Sequence, residues 1–147
     1  HDGPYTQALQ HLGVECWWQP WIGDLPRWLR RHGAQFDAIV VSRHYVLSPL
    51  LPMLRELAPR ARIVFDTVDL HFLREQREAE QLGATAADAA RQTRRAELGL
   101  VRAVDETWVV SPVEEALLAE LRAAKRMNGA TAYLPIMADC HRALGNR

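Results

Sequence analysis

A series of short apolar runs, set between stretches of helical spacing, narrows the fold of this chain more than any other feature. Asp37-Ala-Ile-Val-Val-Ser42 is apolar through its middle, and 61–65, 107–111 and 130–134 repeat the pattern. Short runs without polar alternation are what strands covered on both faces require. Leu50, Leu51, Leu54 and Leu57 predict a helix over 49–57, stopped by Pro59. The spacing also predicts helices over 73–82 and 85–104, the second with Ala89, Thr93, Ala96, Leu100 and Val104 on one face. In Ser111-Pro-Val-Glu114, Ser111 is a cap, Pro112 fits the first helical position and Glu114 completes a capping box, so a helix starts there and runs to 126. Towards the amino terminus a helix is expected over 4–12, capped by Asp2 and closed by Gly13. A strand follows over 14–18, then a helix over 25–32 that Gly33 ends. Strands alternating with helices predict an α/β fold: a doubly wound, mainly parallel Rossmann-like sheet with helices on both faces.

The chain has 147 residues, enough for one domain spanning 1–147. Hydrophobic residues make up 48% and charged residues 24%, which supports a packed core. Lys plus Arg and Asp plus Glu are equal at 18 each, so bulk charge argues against nucleic acid as a partner. No apolar run is long enough to span a bilayer. The two cysteines, Cys16 and Cys140, lie far apart, which suits a reduced, cytoplasmic protein better than a disulfide scaffold. No zinc-type spacing occurs and no metal is expected. No Gly-x-Gly-x-x-Gly or Walker pattern marks a nucleotide site.

In parallel α/β sheets ligands collect at the carboxyl ends of the strands. That rule selects 42–45 after the first long run, 66–74 after the second, 111–115 after the third and the chain from Pro135 onward; within them Ser42, Arg43, Asp66, Asp69, His71, Arg74, Ser111 and Glu114 are the candidates. Two carboxylates and an imidazole after one strand suit acid/base chemistry or binding of sugar hydroxyls. The plainer reading makes Asp66 a turn cap, Asp69 an acceptor of backbone N–H groups and Arg74 a solvated helix residue. Ser42 and Arg43 suit a hydroxyl-rich or anionic ligand, or simple loop polarity. Ser111 is fully explained as a cap, though a helix start also favours anions. His11 and His32 read as surface groups near helix ends, and His141 falls in the tail. Trp17, Trp18, Trp21 and Trp28 suit core or interface packing more than a sugar-stacking platform.

The order of these motifs resembles the amino-terminal, Rossmann-like half of GT-B glycosyltransferases, specifically the family 4-like group of bacterial polysaccharide biosynthesis. Asp2-Gly-Pro-Tyr-Thr-Gln-Ala-Leu-Gln-His-Leu-Gly-Val-Glu15 is similar to the family's first helix and the turn after it. Phe36-Asp-Ala-Ile-Val-Val-Ser-Arg43 resembles the strand that enters the cleft. Ile63-Val-Phe-Asp-Thr-Val-Asp-Leu-His71 resembles the "V-V-x-T-x-H-D" segment. Ala103-Val-Asp-Glu-Thr-Trp-Val-Val-Ser111 resembles "A-D-x-V-I-x-x-S", and Ala132-Tyr-Leu-Pro-Ile136 resembles the "V-x-x-I-P-N" exit to a second domain. The resemblance covers nearly the whole chain, and it rests on order and spacing because each motif alone is loose.

The resemblance implies an acceptor-side domain that works opposite a carboxy-terminal domain holding a nucleotide-sugar donor. The acceptor would be a glycan or a lipid-linked sugar. It implies a cytoplasmic location, with a peripheral seat on the inner membrane face compatible with a lipid-linked acceptor. Asp69 and His71 become the catalytic candidates; Ser42, Arg43, Asp66, Arg74, Ser111 and Glu114 become substrate-binding candidates. Asp69 stands where many relatives carry histidine, a departure that leaves the role open between Asp69 and His71. No strand precedes the first helix, and the donor-binding half is absent after Pro135, so the fragment is expected to be inactive alone and to hold no cofactor. Upstream residues, a rearranged sheet or a homo-oligomer would complete the sheet. The alternatives are a non-catalytic ligand-binding domain for a small anion and a receiver-like signalling module. A receiver needs an aspartate after Ile39-Val-Val41, where this chain has Ser42.

Overall fold

The computed structural model describes residues 3–125 and 129–135. The order of elements is α1 (Pro4–His11), α2 (Leu25–His32), a 3-10 turn (Gly33–Gln35), β1 (Ala38–Ser42), α3 (His44–Leu57), β2 (Arg62–Asp66), α4 (His71–Leu82), α5 (Ala84–Ala103), β3 (Glu106–Val109), α6 (Pro112–Lys125) and β4 (Ala130–Tyr133). This is an α/β fold with a four-stranded, all-parallel sheet and six helices, consistent with the expected Rossmann-like, doubly wound class. The chain divides into two compact units. One takes residues up to Phe36 together with Pro52–Ala61; the other takes Asp37–Leu51 and everything from Arg62 onward.

In the first unit α1 has no buried residue, and Tyr5, Leu9 and Leu12 are exposed. Gly13 closes it at φ +82°, the left-handed conformation expected of that glycine. The expected cap Asp2 lies outside the described residues. Residues 14–18 are not a strand. The segment has β-forming composition, but a strand exists only through its ladder, and none is formed there. In α2, Asp24 Oδ1 accepts the Arg27 N–H at 2.9 Å as a cap. Gly33 does not end the helical path; it opens the 3-10 turn at an ordinary φ of −57°. The need for glycine is steric, because a Cβ there would lie 2.2 Å from the Leu57 carbonyl oxygen.

In the second unit the strands pair in chain order, β1-β2-β3-β4. That order is one continuous run of a Rossmann-like sheet, and no reversal of strand order occurs among the described strands. The register sets Val41 beside Phe65 and Phe65 beside Thr107, so one face carries Ile63, Phe65, Thr107 and Val109, all fully buried. The opposite face is more open, with Val40 exposed and Arg62 paired to Glu106 at 2.8 Å. Arg122 of α6 fastens the sheet's far edge: its Nε donates to Thr131 Oγ1 at 2.9 Å and its guanidinium to the Ala130 carbonyl at 3.0 Å. Burial holds the Arg122 pKa below its ordinary value.

Two helices begin earlier than their local signals predict. The third starts at His44, not 49, because the Arg43 carbonyl accepts the N–H groups of Val46 and Leu47 and Leu47 is fully buried. The fourth starts at His71, not 73, for a reason that belongs to the site. The buried positions of α5 are Ala90, Glu97, Leu98, Leu100 and Val101. The predicted stripe is therefore rotated, and it includes an acid that a search for apolar periodicity passes over.

Candidate functional site

The carboxyl ends of β1, β2 and β3 carry the polar cluster, and backbone geometry shapes it first. Arg43 and Val68 follow β1 and β2 at φ +73° and +63°, the left-handed region. That conformation is unusual for any residue with a side chain and more so for a β-branched valine. Asp66 stabilises both turns. Its carbonyl accepts the Arg43 N–H at 2.8 Å, and its Oδ1 accepts the Val68 N–H at 3.1 Å. Its Oδ2 accepts the Ser42 hydroxyl at 2.6 Å. Thr67, fully buried, ties the turn to β3 by donating its hydroxyl to the Trp108 carbonyl at 2.9 Å.

Beyond that turn, two acids from distant helices hold the start of α4. Leu70, the residue before the helix, makes no side-chain cap of its own. Instead Glu114 Oε1 accepts the Leu70 N–H at 2.8 Å. Glu97 Oε1 and Oε2 accept the N–H groups of His71 and Phe72 at 3.1 and 3.0 Å. These are three of the four donors a helix start leaves without an internal partner. Ser111 caps α6 as expected, its Oγ accepting the Glu114 N–H at 3.2 Å. The reciprocal half of the capping box is replaced: the Glu114 carboxylate goes to Leu70, and to the Val110 N–H at 3.3 Å.

Glu97 is fully buried. Burial pushes its pKa above the ordinary carboxylate value, opposed by the Phe72 and His71 backbone N–H groups and then by His44 and His71. Its Oε1 lies 3.3 Å from Nδ1 of His44 and 3.3 Å from Nδ1 of His71. The two imidazoles meet edge to face with centroids 5.1 Å apart, and Tyr45 packs edge-on against both.

Four of the eight expected site residues converge. Asp69, Arg74, Ser111 and Glu114 line one pocket of about 260 Å³ with Leu70, Leu73, Arg77 and Val113. Arg74 donates to Asp69 Oδ2 at 2.7 Å and lies 4.0 Å from Glu78. Ser42 and Asp66 bond to each other at the neighbouring strand ends, outside that lining. The Arg43 side chain is exposed. His71 does not line the pocket; its Nδ1 faces inward, 3.1 Å from the Asp69 carbonyl and 3.6 Å from Asp69 Oδ1. Arg77 and Glu97 were not anticipated; His44 falls in the strand-end stretch 42–45 but was given no role. The signal for Glu97 in the sequence is weak: Ala90, Val101 and Val104 share its face, but so does Arg94, so the face does not read as apolar.

No protein-family model matches this chain, and the searches of curated proteins and of solved structures return no significant match. Among the described residues no helix is long and apolar enough to cross a membrane.

Proposed function

We propose that this chain is the acceptor-side domain of a glycosyltransferase that moves a sugar from a nucleotide-sugar to a glycan or lipid-linked acceptor. One observation carries the reading: Asp69, Arg74, Ser111 and Glu114, drawn from the ends of two adjacent parallel strands, share one pocket. Parallel α/β sheets bind ligands at such ends. Within that reading Asp69 is the acid/base group, because its carboxylate is about a third exposed and lines the pocket. Arg74 orients Asp69, and Arg77 offers a cation to an anionic acceptor. His71 acts through the position of Asp69, since its ring is turned inward. The donor and its domain belong to the complete protein, in the cytoplasm at or near the membrane.

The test is sugar transfer by the complete protein, assayed with nucleotide-sugars against glycan and lipid-linked acceptors. Asp69→Ala is expected to lower kcat by about 100-fold or more, the scale of one general acid/base group. Unchanged turnover removes Asp69 from the chemistry. Absence of transfer with every donor and acceptor class refutes the function itself.

A further inference from the structure

We propose that His44, His71 and Glu97 form a binding site for one divalent transition-metal ion, with zinc the best match. One donor atom from each residue lies within 4.8 Å of the other two. Zinc binds imidazole nitrogen and carboxylate oxygen at about 2.0–2.2 Å, so two ligands of a tetrahedral ion stand about 3.4 Å apart. Each histidine Nδ1 is 3.3 Å from Glu97 Oε1. Both spacings are close to a tetrahedral edge; the third, between the two imidazoles, is bounded at 4.8 Å, and binding one ion requires those nitrogens to stand no more than about 4.2 Å apart.

A second observation points the same way. The Nδ1 of His44 is buried and makes no hydrogen bond of acceptable geometry. A buried polar atom without a partner is costly, and ligation would satisfy it. An all-nitrogen-and-oxygen donor set of two imidazoles and a carboxylate suits zinc and its first-row neighbours better than calcium or magnesium. The Asp69 carbonyl, 3.1 Å from His71 Nδ1, accepts that nitrogen's proton in the metal-free chain, so ligation displaces the proton and this hydrogen bond. Asp69 Oδ1 at 3.6 Å brings a second negative charge to offset the ion. The Glu97 carboxylate keeps its backbone N–H donors while it ligates, because each oxygen has two lone pairs. These hydrogen bonds then serve as the outer contacts that orient a metal-binding carboxylate. His44 opens α3, His71 opens α4 and Glu97 lies in the second half of α5, so an ion would lock three helices at one point. The site does not depend on the glycosyltransferase reading and stands or falls separately.

The test uses the full chain, stripped with a chelator and checked for native circular dichroism. Zinc is titrated against a chromophoric chelator, and cobalt(II) is added as a spectroscopic probe. One zinc per chain, a visible band of four-coordinate cobalt and a zinc-dependent rise in melting temperature are expected. Loss of an outer-shell partner weakens a metal site by about 10–100-fold, so His44→Ala, which removes a ligand without touching the α4 cap, should weaken zinc by about 100-fold or more. His11→Ala and His32→Ala are expected to leave affinity unchanged. A folded wild-type chain that takes up no stoichiometric zinc overturns the proposal. So does zinc binding that survives His44→Ala undiminished.

Discussion

Removing the Glu97 carboxylate tests the account of how α4 starts. In Glu97→Ala the N–H groups of His71 and Phe72 lose their acceptors in a buried setting. Hydrogen bonds to a charged group contribute about 1.5–3 kcal/mol each, and part of that is offset by no longer burying a charge. The net loss expected is about 3–5 kcal/mol. Against a usual total of about 5–15 kcal/mol, that is a large share. A chain of this size loses about 2–4 °C of melting temperature per kcal/mol, so the midpoint should fall by about 6–20 °C. Glu97→Gln keeps one carbonyl acceptor and turns an amide towards the other donor, so about half the loss is expected. The assay is urea unfolding followed by circular dichroism, in chelator, with Glu120→Ala as an exposed control that changes stability by less than about 0.5 kcal/mol. A loss below about 1 kcal/mol for Glu97→Ala, at an unchanged denaturant slope, would refute the reasoning. It would mean that water or a shifted helix end satisfies those donors.

Other expectations follow from single contacts. Gly33→Ala forces a Cβ to 2.2 Å from the Leu57 carbonyl and should cost about 1–3 kcal/mol in the same unfolding assay, although its φ suits alanine. Val68→Asn should raise stability by about 0.5–1 kcal/mol, because asparagine tolerates the left-handed conformation that valine resists at φ +63°; a loss would show that the valine side chain outweighs the strain. Arg122→Lys keeps the charge but cannot reach both Thr131 and the Ala130 carbonyl, and should cost about 1–3 kcal/mol, with faster amide exchange in β4.

The parts of this fold that were legible in the sequence are those held by local pattern. Ile39, Val40 and Val41, Ile63, Val64 and Phe65, and Trp108 and Val109 announced strands because their runs are apolar without alternation, but the burial on both faces expected of such runs is not met in β1, where Val40 is exposed. The cap of α6 by Ser111 and the closure of α1 by Gly13 were readable because both act within one turn of chain. The strand expected over 14–18 failed because its composition was right but its pairing could not be read locally. The start of α4 failed for the opposite reason: its caps come from Glu97 and Glu114, 25–44 residues away. The same distance hid much of the site. Asp69, Arg74, Ser111 and Glu114 were selected by the strand-end rule and do share a pocket. The inward turn of His71 towards Glu97 and His44 was not legible, because it depends on which face of α5 is buried.

The remote capping of α4 also bears on the order in which the molecule assembles. A helix whose first donors are satisfied only by α5 and α6 cannot nucleate at its own beginning. The body of α4 can form early against α5, but the segment from Val68 to Phe72 must wait until both neighbouring helices have docked. The amide protons of Leu70, His71 and Phe72 should therefore exchange only through openings that undock a whole helix, although they stand at a helix start, where ends ordinarily fray. A helix start with the protection of a core is a rigid platform, and it places the Asp69 carboxylate with the precision of the helices that hold it.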